Sequence, residues 1–121
     1  MKRQILQITT NGAQAATVNG WAVLGKLYAI EYRPGTLDTG AVLTITSEAD
    51  TSKPLLTLTG VGTSALWYYP RDLVHAVANG AALTGTAGGD RAMPLIHGTP
   101  RVVVASGGIT MSGSVTLYYY E

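Results

Sequence analysis

Polar and apolar residues alternate along most of this chain, in short runs separated by Gly, Pro, Asn and Asp. A two-residue period places successive side chains on opposite faces of an extended strand. The first run, 5–10, ends at the turn signal Asn11-Gly12. A weaker strand over 13–18 closes at a second Asn-Gly, Asn19-Gly20. Over 21–32 the alternation sets Tyr28, Ile30 and Tyr32 on one face and Leu27, Ala29 and Glu31 on the other, until Arg33-Pro34-Gly35 stops it. In 41–48, Leu43 and Ile45 face inward while Thr44 and Thr46 face outward. After a turn at 50–54, the run 55–59 sets Leu56 and Leu58 opposite Thr57 and Thr59.

Beyond Gly60-Val61-Gly62, the run 65–69 is a short aromatic strand ended by Pro70. Residues 70–80 carry some helix signals: Pro70 at a first helical position, Leu73, Val74 and Val77 at helical spacing, and Asn79-Gly80 as a C-cap. The strands around them favour an extended or irregular loop. Residues 84–90 are Gly-rich, and 93–100 lead into the last segment, 101–121. There, two runs rich in Val, Thr and Tyr flank a Gly/Ser connector, which predicts a terminal β-hairpin. Its second strand places Val115, Leu117 and Tyr119 on one face and Tyr118 and Tyr120 on the other. The pattern predicts an all-β fold, a single β-sandwich or jelly-roll domain over 1–121 with about seven or eight short antiparallel strands.

Charge changes this picture more than any motif does. Charged residues are 12% of the 121, against about 25% in ordinary soluble domains. Mean hydropathy is +0.20, yet no stretch approaches the ~18 apolar residues of a membrane span, so no membrane partner is expected. A small domain with so little charge is expected to bury surface in an assembly. Lys2, Arg3, Lys26, Arg33, Lys53, Arg71, Arg91 and Arg101 are scattered rather than striped, so no nucleic acid is expected either. The absence of cysteine excludes disulfides and thiolate metal sites. Met1-Lys2-Arg3 is basic, but no long apolar region follows, and no secretory signal is expected.

Candidate chemistry is sparse. His75 and His97 sit in different loops, and Asp72 lies three residues before His75. No serine sits in a nucleophile elbow, and the histidines lack metal-ligand spacing. Paired carboxylates would have to come from Glu31, Asp38, Glu48, Asp50, Asp72, Asp90 and Glu121, most of which lie at turns, where backbone reasons suffice. Gly88-Gly89 and Gly107-Gly108 lack the Lys-Ser/Thr of a phosphate loop. No catalytic residue, metal site or cofactor is assigned, and the chain is not expected to be an enzyme.

The aromatics pose the sharper question. There is no Phe, so Tyr and Trp supply the large core side chains. Neighbours on a strand alternate, so neither Trp67-Tyr68-Tyr69 nor Tyr118-Tyr119-Tyr120 can point one way. The outward rings are candidates for a protein interface or for a stacking platform that binds sugars.

Three segments resemble the small head-decoration, or capsid cement, proteins of tailed bacteriophages. The first is Tyr32-Arg33-Pro34-Gly35-Thr36-Leu37-Asp38-Thr39-Gly40 with the strand to Thr46. The second is Trp67-Tyr68-Tyr69-Pro70-Arg71 with Val74-His75. The third is Pro94-Leu95-Ile96, then Arg101-Val102-Val103-Val104-Ala105-Ser106-Gly107-Gly108 and the return strand from Gly113 to Tyr118. The resemblance implies a β-sandwich subunit, made in the host cytoplasm, that joins the virion by binding the outside of the assembled capsid. Its partners would be the major capsid protein and itself, as a homotrimer. Lys2 and Arg3 in the polar N-terminal stretch, with the two aromatic triplets, are the candidate contacts. The alternative is a carbohydrate-binding β-sandwich module of a phage tail or fibre.

Overall fold

The computed structural model describes residues 1–47, 54–60, 64–73 and 91–121. The helix-or-loop question over 74–80, the Gly-rich stretch 84–90, His75, Lys53 and Asp90 lie outside the described residues. The strands are β1 (Lys2–Thr9), β2 (Ala16–Asn19), β3 (Val23–Arg33), β4 (Val42–Ser47), β5 (Leu56–Thr59), β6 (Leu66–Tyr68), β7 (Asp72–Leu73), β8 (Arg91–Ala92), β9 (Leu95–Gly98), β10 (Pro100–Ala105) and β11 (Ser112–Tyr120). All pairings are antiparallel. One sheet runs β1-β11-β3-β6, with β9 also paired to β3; the other runs β2-β10-β4-β5. The pair β7-β8 stands apart. The domain is therefore all-β with a β-sandwich architecture, built from more and shorter strands than alternation alone marks out.

The core lies between the two sheets. Leu6, Ile8, Leu27, Ile30, Tyr32, Val115 and Leu117 come from the first sheet, and Leu43, Ile45, Leu58, Val102 and Val104 from the second. Burying each such side chain contributes about 1.5–3 kcal/mol. Leu43 and Ile45 are buried while Thr44 is half-buried on the other side, as their alternation predicts. Thr46 also belongs to the outer side, opposite exposed Arg101, but is itself nearly covered.

The terminal hairpin is not formed. β10 pairs with β2 and β4, whereas β11 pairs with β1 and β3, so the two runs lie in opposite sheets. Their connector arches over one end of the sandwich. Gly107 N donates to Gln14 O, Asp38 N donates to Gly107 O, and Thr10 Oγ1 donates to Gly108 O. Ser106, Gly108 and Thr110 all have positive φ (56°, 87° and 52°), a run of left-handed corners suited to an arch. Alternation tells a strand which side is inward; it does not tell it which sheet to join.

The even alternation expected over 21–32 is also broken. Along β3, Val23, Gly25 and Leu27 are buried, then Ile30 and Tyr32, so the inward phase shifts between Leu27 and Ile30. The pairing shows the cause. Tyr119 faces Leu27 and Tyr118 faces Ala29, leaving Tyr28 as the extra residue of a β-bulge. Leu27 is thus inward and Ala29 outward, and Tyr28 leaves the face of Ile30 and Tyr32.

Candidate interaction face

Directly paired residues share a face of the sheet. Val115, Leu117 and Tyr119 are buried, so Tyr118 and Tyr120 point away from the core, as expected. Trp67 pairs with Glu31, Glu31 with Thr116, and Thr116 with Ile5, which places all four on the outer face of the first sheet. Arg3 pairs with Tyr118 and joins them. Tyr68 pairs with inward Ile30 and packs against the core, and Tyr119 lies within it. Of the six triplet rings, Trp67, Tyr69, Tyr118 and Tyr120 are therefore outward, whereas Tyr68 and Tyr119 are turned inward. Lys2 is exposed and donates from Nζ to Glu121 Oε2 at 2.9 Å; that hydrogen bond and the carboxylate's charge raise its pKa.

The bulge adds a ring that alternation does not place here. Tyr28 meets Tyr69 and Tyr120 edge-on, with centroids 5.9 Å away in both cases. The Arg71 guanidinium carbon lies 5.7 Å from the Tyr28 ring centre. Beside them Trp67 and Tyr118 stack at 5.0 Å with planes 31° apart. Ala29 is opposite Tyr118 on this outer face and yet fully buried, which fits a methyl roofed by these rings. The sequence signal for the bulge is slight: Leu27-Tyr28-Ala29-Ile30 has no polar residue to mark phase.

The layer is aromatic but remains accessible, with Trp67 47% and Tyr120 42% exposed. Glu31, within it, is only 8% exposed, and accepts a hydrogen bond from Arg33 Nε at 3.0 Å. Beyond the β1 edge, Trp21 is 82% exposed and shares a groove with Arg3 and Ile5. Neither Trp21 nor Tyr28 belongs to an aromatic triplet. The outer face of the second sheet differs sharply, carrying Thr17, Val103, Thr44 and Thr57 in one cross-strand row.

For hydrolytic chemistry the described residues offer little. His97 is exposed on β9, opposite Leu24. No cluster of three potential metal-ligating side chains occurs among the described residues. No family model, curated protein or solved structure matches this chain.

Proposed function

We propose that this protein is a virion structural subunit that binds the outer surface of an assembled phage capsid and stabilises it, acting as a homotrimer. The observation that carries this reading is the outer face of the first sheet. There Trp67, Tyr69, Tyr118, Tyr120 and Tyr28 form one aromatic layer bordered by Arg3 and Arg71, on a chain with little charge. Aromatic and Arg side chains dominate the energetics of protein interfaces. The likeness of three segments to cement proteins supplies the capsid as partner. Bridging neighbouring capsomers adds buried area that rupture must undo, and three linked contacts gain by avidity.

A second reading, a carbohydrate-binding module of a tail or fibre, is favoured by one feature. Trp67 is 47% exposed, which leaves indole surface on which a sugar can stack. The remaining rings argue against it, because Tyr28 meets both its neighbours edge-on and they share no plane.

The test is to mix purified protein with capsid shells lacking it, and to measure co-sedimentation and resistance of the shells to heat. Binding with raised heat resistance, and a trimeric mass by ultracentrifugation, is the expected result. A monomer that leaves the shells unbound and unchanged would overturn the proposal, and glycan binding lost in Trp67→Ala would establish the second reading.

A further inference from the structure

At one end of the aromatic layer Lys26, Tyr28, Arg71 and Tyr120 enclose a cleft completed by Ala92 and Met93. Its charge is unbalanced as far as the described side chains go. Among the described side chains Glu121 is taken by Lys2, and Glu31 by Arg33, while neither Lys26 nor Arg71 has a carboxylate within ion-pair distance. Lys26 is exposed on β3. Arg71 is held in place: its Nη1 donates to Tyr28 O at 2.9 Å and to Pro70 O at 2.6 Å, with the Tyr28 ring alongside. Two cations therefore meet at a cleft walled by aromatic rings and a thioether, and one of them is already oriented. Pre-ordering a recognition group lowers the cost of binding.

A group that fits this arrangement is planar, anionic and attached to an apolar stem. We propose that the cleft receives the side-chain carboxylate of an Asp or Glu on a partner protein, an identification of the partner that rests on the interface reading above. The guanidinium matches a carboxylate in plane, Lys26 adds a point charge, and Tyr28, Tyr120 and Met93 cover the stem. A cation on either side also penalises partners that present Lys or Arg here.

The test titrates the whole protein, observed by NMR, with N-acetyl-glutamate and N-acetyl-glutamine, both capped as the α-methylamide so that only the side-chain carboxylate differs, and with glucuronate. Saturable shifts at Lys26, Arg71 and Tyr120 are expected with N-acetyl-glutamate. About fivefold or weaker binding is expected with the amide, and with Lys26→Glu, whose exposed site leaves the fold intact. Equal response to the amide, or none to the carboxylate, would overturn the proposal. Tighter binding of glucuronate would overturn it too, in favour of an acidic sugar. If the parent protein binds N-acetyl-glutamate but ignores capsid shells, the carboxylate site stands and the capsid reading falls.

Discussion

The side-chain amide of Gln4 holds the backbone of Trp21 at two points. Its Nε2 donates to Trp21 O at 3.0 Å, and its Oε1 accepts from Trp21 N at 2.8 Å. Gln4 is 7% exposed and Trp21 is 82% exposed, so a buried clamp presents a free indole. Gly20 makes room for it, since a Cβ there would press on Gln4 Oε1. Gln4→Ala strands the Trp21 N–H and carbonyl, and a stability loss of about 1–3 kcal/mol is expected by urea titration. With Trp67→Phe as background, the anisotropy decay of Trp21 should also gain a fast component. Unchanged stability together with unchanged decay would show that the clamp has no hold on the loop.

Gly25 tests the seam between β3 and β11. A methyl there would drive into the Tyr120 carbonyl oxygen, a backbone atom that cannot swing aside. Gly25→Ala is therefore expected to destabilise by more than ~2 kcal/mol. Gly40→Ala is the control, because a Cβ at Gly40 meets nothing within 4 Å. Thermal melts of the two variants should separate clearly.

Tyr32 is fully buried, and its hydroxyl has no hydrogen-bond partner among the described residues. Burial raises its pKa above the ordinary 10.0, and the nearby Tyr68 adds to the rise. Below that ordinary value the hydroxyl is protonated in both folded and unfolded chains, and its contribution to stability is fully present. As pH climbs past it, the unfolded chain loses the proton first, so stability falls until the higher folded-state value is passed. Tyr32→Phe should match or exceed the parent in stability at neutral pH and lose this part of the alkaline decline. Chemical melts from pH 8 to 11 decide it; a destabilised Phe variant would mean that the hydroxyl is satisfied.

Ala29 lies opposite Tyr118 in the bulge, beneath the outer layer. Ala29→Leu should force the Trp67–Tyr118 stack apart at a cost of about 1–3 kcal/mol. Trp67→Ala removes a half-exposed ring stacked on Tyr118 and should cost only about 1 kcal/mol of stability while weakening partner binding about tenfold or more. Both effects are readable by calorimetry of the melt and by shell co-sedimentation. Full retention of binding in Trp67→Ala would remove this ring from the interface.

The sequence shows sidedness well and neighbourhood poorly. Leu43 and Ile45 against Thr44, or Val115, Leu117 and Tyr119 against Tyr118, state their faces because each side has its own residue type. The split of Tyr119 from Tyr118 and Tyr120 follows from that phase alone. Nothing comparable marks the sheet to which a strand belongs, and so the valines of β10 and the tyrosines of β11 look like a hairpin although their partners are elsewhere. The bulge was hidden for a related reason: four apolar residues in a row, Leu27 to Ile30, carry no alternation that could slip visibly. Tyr28 entered the candidate face through that gap. Trp21 depends on Gln4, a clamp between β1 and the connection that joins β2 to β3, and a contact of that kind leaves no periodic trace.

The pairing of β1 with β11 has a consequence for how the chain comes into being. Residues 2–9 align in register with 112–119, and β11 is the sheet neighbour of β1 among the described strands. During synthesis at ~5–20 residues per second, the first strand waits on the order of ten seconds for its partner. Throughout that interval Leu6 and Ile8 have no sheet to enter, and Ile5 stands beside them. The apolar side chains of β1 therefore need protection until residues 112–119 arrive to pair with them.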